Sequence, residues 1–528
     1  MAHSNDSDSQ LATPQVDQLL VLCEEVTRAT PEAARRFIEP APGVLSRAKA
    51  QQHNIVFGRR GSGKSSLLRK MAADLTVDRR PIAFVDMETF KGHSYPDVLI
   101  SVLIKSLYEF KKWLENAATA PATKKSFWNR LFGTSPQRPP FNRAKTTELI
   151  DGLKKTIQNL EEQLTAPESA AIVKTEKVGQ QSSDSAAAKA EIGAGGSTVG
   201  AEKSTSKSAE ASSERQLSYV SHKIGYLHQH IIGFQRFFQD LAALSDGPGF
   251  LVLDDLYHIK REDQPKVIDY FHRVAKGNGL WLKIGTIKHR SEWYKHSDPP
   301  MGMKLGDDAK EINLDISLEK FEILRDFLRK ILTNLLAEIP PLTIGGLLNR
   351  TAIDRLIIAS GGVTRDFIGI FSNSIGQARN RGEEHHRGPK IGAEDVNLAT
   401  GEYDPIKREE FKLDTDEDRV QLEEAFSAIR AFCTEKAKCN VFLVSQKLDG
   451  SIRESLDQLI DLRLIHPVKS RVTLKTGATG EIFEAYMLDL SQYIAARKVH
   501  DFRIVDLGGD DKDEFIRKAS LVYGKDSH

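Results

Sequence analysis

Cysteine is scarce in this chain, with three residues among 528. The positions of Cys23, Cys433 and Cys439 fit neither a disulfide framework nor a zinc site, which favours a reducing compartment. No apolar run approaches the roughly 20 residues of a membrane-spanning helix. The opening residues MAHSNDSDSQ also lack the apolar region of a signal peptide. We therefore expect a soluble, cytoplasmic protein without a transmembrane segment.

An excess of charge of one sign is also missing. The chain has 74 Lys and Arg against 73 Asp and Glu, a net charge of +1. Bulk charge therefore predicts neither a polyanion nor a membrane partner, and any such partner must meet a local patch. Hydrophobic residues make up 40% and charged residues 28%, which is typical of globular proteins, and the length allows about three domains.

One short motif matches a specific sequence pattern at every defined position. The segment NIVFGRRGSGKSSLL fits the pattern G-x-x-x-x-G-K-[ST], with an apolar run before it and a helical pattern after it. Such a loop wraps phosphates with its backbone N–H groups, and the following helix adds partial positive charge. Lys64 is expected to reach the β- and γ-phosphates, and the Ser65 hydroxyl to hold Mg²⁺. The predicted nucleotide-binding residues are Gly58, Arg59, Arg60, Gly61, Ser62, Gly63, Lys64, Ser65 and Ser66.

A second motif supplies the acidic residue that holds the metal beside such a loop. The run GFLVLDDLYHI reads as a buried strand that ends in Asp254 and Asp255. We expect Asp254 on the Mg²⁺ side and Asp255 to polarise the attacking water. Aspartate is about one carbon shorter than the glutamate of many related ATPases, which predicts hydrolysis that is slow or completed by a partner. The alternative is an ordinary strand followed by an acidic turn.

Further strands are predicted at 81–90, 279–290 and 310–316. Together with the two above, they make an α/β core with a parallel sheet. Polar residues follow these strands, and ligands of open parallel sheets lie beyond the carboxyl ends of the strands. Thr286 is the polar residue at the exit of the strand predicted within 279–290, and it is expected to sense the γ-phosphate or orient water. The alternative is a strand-terminal threonine without a role.

The order of these motifs, followed by ASGGVTRDFIGIF at 359–371, resembles AAA+ ATPases, and most of all their origin-recognition, initiator-like and STAND-type members. The resemblance implies a P-loop NTPase fold, ATP and Mg²⁺ as cofactors, Thr286 as sensor 1 and Arg365 as sensor 2. A cation at a helix N-terminus is disfavoured unless it meets an anion, which also supports Arg365. The alternative is that Asp366 neutralises Arg365.

The resemblance also implies a homo-oligomer in which an arginine of one subunit reaches the nucleotide of the next. Arg290, in IKHRSEWY, is the predicted finger and Lys288 the second choice. The alternative is a surface role for both residues.

The sequence between the second and third strands is much longer than the core needs. Leucine, isoleucine, valine and phenylalanine recur at spacings of three and four in 150–164 and 217–238, which predicts an antiparallel coiled-coil hairpin. Two amphipathic helices packed on the core are the alternative. The Ala-, Ser- and Gly-rich tip at 165–214 is expected to be disordered.

The last part of the chain has the helix, strand, helix and hairpin order of a winged helix. Its helix 451–465 presents more acid than base and is a poor recognition helix. The hairpin is more basic, with Lys469, Arg471 and Lys475. A sequence-independent contact of this wing with double-stranded DNA and a protein–protein role for the domain both stay open.

The sequence thus predicts five units. They are a disordered tail (1–16), an AAA+ core (17–118 and 245–316), a coiled-coil insertion (119–244), a helical lid (317–405) and a winged-helix-like domain (412–528). The predicted function is that of an oligomeric ATP-driven switch acting on DNA or, through the insertion, on a protein effector. The resemblance adds bacterial defence or mobile-element maintenance as the setting. The alternative function is a low-turnover, nucleotide-stabilised scaffold or adaptor without DNA binding.

Overall fold

The structure is a computed structural model that describes residues 10–28, 32–119, 141–165, 200–381, 388–414, 419–447, 450–475, 480–493, 502–505, 507–509 and 512–524. A five-stranded parallel sheet forms its first core. The sheet consists of β1 (Asn54–Phe57), β2 (Ile82–Asp86), β3 (Gly249–Asp254), β4 (Leu280–Thr286) and β7 (Lys310–Asn313), and a separate antiparallel ribbon consists of β5 (Tyr294–Lys295) and β6 (Met301–Gly302).

The strands of the parallel sheet lie in the order β2-β3-β4-β1-β7. All residues of β1 and β3 are buried, as expected for short apolar strands covered on both faces. The five strands predicted from the sequence are present, but three of them end earlier than predicted. Strand β2 ends at Asp86 rather than at residue 90, β4 at Thr286 rather than at residue 290, and β7 at Asn313 rather than at residue 316. Because the strands are parallel, their carboxyl ends share one edge, where Phe57 is paired with Thr286 and Asp86 with Asp254.

Helices account for most of the remaining described chain. In chain order they are α1 (Gln15–Val26), α2 (Val44–Lys49), α3 (Lys64–Val77), α4 (Asp97–Thr119), α5 (Arg143–Thr165), α6 (Gly200–Leu244), α7 (Gln264–Ala275), α8 (Phe321–Ala337), α9 (Ile344–Leu347), α10 (Arg350–Ser360), α11 (Thr364–Asn380), α12 (Ala393–Gly401), α13 (Asp404–Asp414), α14 (Arg419–Ala431), α15 (Gly450–Asp461) and α16 (Lys512–Ile516). Apolar residues of α2 and α3 cover one face of the parallel sheet, and those of α4 to α7 cover the other.

The insertion packs on α4 and the sheet through α5 and through α6 from Lys223 onward. The Lys223 ammonium of α6 is 2.7 Å from the Asp97 carboxylate of α4 and 3.4 Å from the Leu164 carbonyl oxygen of α5. Further along the same helices, the Phe110 and Phe238 rings are 5.2 Å apart. Helices α4 and α6 therefore run in the same direction. Helix α5 runs in the opposite direction, with its C-terminal end beside Asp97 and Lys223.

The apolar residues that predicted a coiled coil are buried in the same cluster as the sheet: Leu153, Ile157, Leu160, Leu227, Phe234 and Phe238. Helix α5 packs against α4 and α6 and runs antiparallel to α6, and α4 and α6 contact the strands. The coiled-coil hairpin stays a prediction. Residues 166–199 of the predicted tip lie outside the described residues, and residues 200–214 are the first part of α6 rather than a disordered connector.

The lid consists of α8 to α12, and it includes a segment that the sequence placed elsewhere. Residues 1–16 were expected to be a disordered tail, yet Leu11 and Val16 are buried and α1 begins at Gln15. The apolar side of α1 joins the lid core rather than the sheet core. An ion pair of 2.7 Å between Asp17 and Arg379 adds a polar contact at the same boundary.

The C-terminal domain has the expected order of elements. Its three-stranded antiparallel sheet has the order β8-β10-β9 and consists of β8 (Val441–Ser445), β9 (Ile465–Val472) and β10 (Phe483–Leu488). Helix α14 precedes β8, and α15 lies between β8 and β9. The buried residues of this domain belong to one continuous apolar cluster with those of the lid.

In the part of the chain that the structure describes, none of the helices is both long and apolar enough to cross a membrane.

The packing of the insertion can be tested at Leu160, whose side chain is fully buried. We expect Leu160→Ala to lower the free energy of unfolding by about 2–4 kcal/mol, since it removes buried methyl groups and leaves a cavity. The matched control is Leu398→Ala, at a leucine that is 43% exposed, with an expected change below about 0.5 kcal/mol. Urea denaturation measures both, and equal values for the two variants would show that α5 projects away from the core.

Candidate nucleotide site

The loop between β1 and α3 has the backbone geometry of a phosphate cradle. Gly61 and Gly63 have φ values of 85° and 95°, a left-handed region that favours glycine. A Cβ at Gly58 would overlap the Ser62 hydroxyl, so the first glycine allows the loop to close on itself. The loop ends at Lys64, the first residue of α3, which places the helix N-terminus at the concave side of the loop.

Lys64 lies deep in this site. Its ammonium donates to the carbonyl oxygens of Gly58, at 2.9 Å, and Arg59, at 3.3 Å. It is also 4.0 Å from an Asp255 carboxylate oxygen. Burial lowers the pKa of Lys64, whereas Asp255 and Asp254 act to raise it. The amine is therefore held by weak acceptors that a phosphate oxygen could replace.

Two adjacent carboxylates face the lysine from the end of β3. Asp254 is 3% exposed, and its carboxylate accepts a hydrogen bond from the Asp255 backbone N–H at 3.1 Å. Interaction with the nearby Ser65 hydroxyl acts to lower the pKa of this carboxylate. Burial and the neighbouring Asp255 raise the pKa of Asp254 to about 7. Asp255 is less buried and has a left-handed backbone, with a φ of 55°, which turns the chain sharply away from the strand.

These residues fit a Mg²⁺ site that a nucleotide completes. The Ser65 hydroxyl and the Asp254 carboxylate are oxygen ligands of the kind Mg²⁺ prefers. Among the described residues, no group of three or more His, Cys, Asp or Glu side chains could hold a metal alone. Phosphate and water oxygens would therefore supply the remaining ligands, as is usual for Mg²⁺ at a nucleotide.

The structure adds Gly285 to the site, a residue that the sequence analysis did not select. A Cβ at this position of β4 would lie 2.5 Å from the Asp254 carboxylate and 2.8 Å from a Leu68 methyl group. Only glycine leaves Asp254 room to lie against the neighbouring strand. A glycine inside an otherwise apolar strand was the signal for such a close approach.

Thr286 is the last residue of β4, and Arg290 lies in the segment that follows β4. Thr286 is fully buried beside Phe57, and its hydroxyl shares a short hydrogen bond with the Ser291 hydroxyl. The Arg290 guanidinium lies 5.6 Å from the centre of the Tyr257 ring of its own chain. The second choice for a finger, Lys288, forms a 3.2 Å ion pair with Glu311. A contribution of Arg290 to a neighbouring subunit stays a prediction.

Arg365 lies against the phosphate loop. Its backbone N–H donates to the Gly61 carbonyl oxygen at 3.2 Å, and a Cβ on Gly61 would come within 2.7 Å of the Arg365 Cβ. Asp366 is turned to other partners, namely the Arg463 guanidinium and, at 3.7 Å, the Lys407 ammonium. The first turn of α11 therefore presents its arginine next to the loop and its aspartate to the C-terminal domain.

Arg59, one of the predicted nucleotide-binding residues, directs its side chain towards the lid and the C-terminal domain. Its side chain is 4% exposed, and its backbone N–H donates to the Asp315 carboxylate at 3.0 Å. Its guanidinium donates to the Gly361 carbonyl oxygen at 3.0 Å and contacts the His466 ring at 3.1 Å. Arg60 is half-buried and is one of the charges that act on His258, whose pKa is lowered mainly by burial.

The faces of the C-terminal domain that could read DNA have protein partners. On α15, Asp457 lies 3.4 Å from His289, and burial raises the pKa of Asp461 to about 7, with Asp315 adding to the effect. This side of α15 therefore packs on the sheet domain. On the wing, Lys469 pairs with Asp513 at 2.7 Å and Lys475 with Glu514 at 2.6 Å, so acids next to or in α16 offset two of the three predicted basic residues.

Comparison with known proteins gives a distant structural similarity. No family model matches the sequence, and no curated protein matches it. Among solved structures, the chain is similar to the Aeropyrum pernix ORC1 protein, determined in complex with DNA, at 12% identity and a TM-score of 0.35. The alignment covers 92% of this chain and 97% of that chain. A similarity of this size carries no argument about activity or partners.

The raised pKa of Asp254 predicts a pH-dependent stability. The pKa is about 7 in the folded protein against an ordinary value of 3.8, so the folded state binds more protons between these values and loses stability as pH rises through them. We expect Asp254→Asn to stabilise the nucleotide-free protein by about 1–3 kcal/mol at pH 8 and by little at pH 4.

Denaturant titrations at pH 4, 6 and 8 measure this difference. The control is Asp326→Asn, an exposed carboxylate on α8 that does not act on Asp254, for which no gain is expected. A gain for Asp254→Asn that is the same at every pH would contradict the assignment.

The close contact at Gly285 predicts a selective defect. We expect Gly285→Ala to displace the Asp254 carboxylate and to weaken Mg²⁺-dependent ATP binding about ten-fold or more, since a metal ligand moves. Calorimetric titration with and without Mg²⁺ measures the effect. Gly152→Ala, at a helical glycine with no atom within 4 Å of the added Cβ, should bind ATP as the wild type does. Normal Mg²⁺-dependent binding by Gly285→Ala would remove this residue from the site.

Proposed function

We propose that this protein is an AAA+ type ATPase that binds Mg²⁺ and ATP and uses hydrolysis to switch the arrangement of its domains. The observation that carries the proposal is the convergence of Lys64, the Ser65–Asp254 pair, Asp255 and Arg365 at the carboxyl edge of a parallel sheet. Each group has a charge or hydrogen-bonding capacity that suits a triphosphate and its metal. The activity proposed is hydrolysis of a phosphoanhydride bond.

The proposed roles follow from position. Lys64 would leave the loop carbonyls to bind the β- and γ-phosphates. Ser65 and Asp254 would hold Mg²⁺, which would neutralise phosphate charge. Asp255 orients the attacking water and accepts its proton. Thr286, at the end of β4, fixes the position of the loop and of that water through its hydroxyl network. Arg365 meets the negative charge of the phosphates from the lid side.

Slow turnover is part of the proposal. Asp255 reaches about one carbon less far than a glutamate would, and a single subunit supplies no finger arginine from a neighbour. Completion of the site by Arg290 of another copy in a homo-oligomer would raise the rate. Arg290 would first have to leave Tyr257 and the adjacent C-terminal domain, so assembly and domain movement would be connected.

A second candidate function is a nucleotide-stabilised scaffold or adaptor without DNA binding. The pairing of Lys469 and Lys475 with acids, and the packing of α15 on the sheet domain, favour it over DNA recognition in this arrangement. A switch that acts on DNA through the wing would need to expose these groups. The insertion is the surface we propose for a protein effector.

ATP hydrolysis measurements distinguish these functions. For the switch, we expect wild-type turnover that double-stranded DNA or a higher protein concentration increases, and at least a ten-fold loss in Asp255→Ala with ATP binding retained. For the scaffold, we expect tight ATP binding and no turnover under either condition.

Lys64→Ala provides the test common to both functions. The loss of the buried ammonium should abolish ATP binding, because Lys64 is the residue whose ammonium lies at the carbonyl oxygens of the loop. The matched control is Lys70→Ala on the exposed side of the same helix, where Lys70 pairs with Asp74 at 2.9 Å. Unchanged ATP affinity in Lys64→Ala would reject both functions.

A further inference from the structure

The C-terminal domain makes a buried polar contact with the phosphate loop. The guanidinium of Arg59 is 3.1 Å from Nδ1 of His466, a residue at the start of β9 that is fully buried. A Cβ at Gly361 would overlap the same imidazole ring, so the lid backbone also approaches His466 closely. Loop, lid and C-terminal domain therefore meet at one histidine.

The hydrogen bonds define the protonation state of the His466 imidazole. Nε2 lies 2.7 Å from an Asp489 carboxylate oxygen, which can only accept, so Nε2 carries the proton. Arginine can only donate, so Nδ1 is the acceptor and the imidazole is neutral. Complete burial lowers the pKa of His466, in agreement with this assignment. The orientation of the ring is fixed from both sides.

Asp489 is itself held by a cation. The Lys407 ammonium is 2.7 Å from Asp489, and both side chains are buried. Lys407 and His466 together lower the pKa of Asp489 although burial opposes them. The chain of contacts from the loop thus runs from Arg59 through His466 to the Asp489–Lys407 pair inside the C-terminal half.

A second contact reaches the other side of the nucleotide site. Arg463, two residues before β9, pairs with Asp366 in the first turn of α11, and Lys407 is 3.7 Å from the same carboxylate. The neighbour of Asp366 is Arg365, whose backbone N–H bonds the loop at Gly61. Two buried contacts therefore fix the two parts of the chain that face the phosphates.

We propose that His466 is a positioning residue of the nucleotide site, through which the docked C-terminal domain holds the phosphate loop in its binding conformation. The inference rests on the proposed function. A buried guanidinium that loses one acceptor moves to find another. The Asp315 carboxylate accepts from both the backbone N–H and the Nε of Arg59, so a shift of the guanidinium is passed to the backbone of the loop. By linkage, a nucleotide that favours this loop conformation strengthens the docking of the C-terminal domain by the same factor.

The first test is the affinity of the full chain for a non-hydrolysable ATP analogue with Mg²⁺. We expect His466→Leu to weaken binding about ten-fold, in line with the loss of a hydrogen bond to a charged group. His466→Gln keeps a donor and an acceptor on one side chain and should restore most of the affinity. The matched control is His53→Leu, another buried histidine, which bonds the Leu282 N–H at the opposite edge of the sheet and should leave affinity unchanged.

The second test is hydrogen exchange of α15, which packs on the sheet domain near His289. In the wild type, the analogue should slow exchange of 450–461 several-fold, and in His466→Leu it should have no such effect. A role of His466 in stability alone would raise exchange throughout β8 to β10 without removing the response of α15 to the nucleotide.

The outcomes separate this inference from the proposed function. Wild-type protein that binds no nucleotide would reject both. Wild-type binding with the same affinity in His466→Leu would reject only the positioning role. If His466→Leu does not fold, Arg59→Lys replaces it, because an ammonium cannot reach His466 and Gly361 together in the geometry of the guanidinium. Undiminished affinity in Arg59→Lys would then reject the role of the contact.

Discussion

The arrangement of the whole molecule depends on the hydrogen bonds of the buried Arg59 guanidinium. A guanidinium is always charged, so burying it requires an acceptor for nearly every N–H group. The acceptors come from Asp315 at the end of the sheet, Gly361 in the lid and His466 in the C-terminal domain. Removing any one of these parts would leave a buried charge partly unsatisfied, which is why they occupy fixed positions around the loop.

The same low-dielectric environment prepares the site for its ligand. Burial raises the pKa of Asp254 and lowers that of Lys64, so both groups are less favourable as ions in the nucleotide-free protein. A metal beside the carboxylate and phosphates beside the amine would restore both to their charged forms. The charges of the site are therefore complementary to Mg²⁺ and to a polyphosphate.

Local patterns predicted the parts of this site that neighbours in sequence build. The five strands, the glycine loop, the Asp254–Asp255 turn and the helix break before Arg365 each depend on short segments with a clear period or breaker. The pairing of Arg59 with His466 joins residues 407 positions apart and leaves no periodic signal. The insertion shows the same limit, because a heptad pattern describes an apolar side of a helix without saying which surface covers it.

The division of the apolar cores explains why the site can respond to a nucleotide. Two clusters cover the two faces of the parallel sheet, and a third unites α1, the lid and the C-terminal domain. The phosphate loop belongs to the body that contains the sheet, while Gly361, Arg365 and His466 belong to the second body. Polar contacts join the two bodies at this boundary, and a phosphate can replace individual hydrogen bonds there without disrupting either core. A ligand that binds between two bodies stabilises the arrangement for which it has the higher affinity.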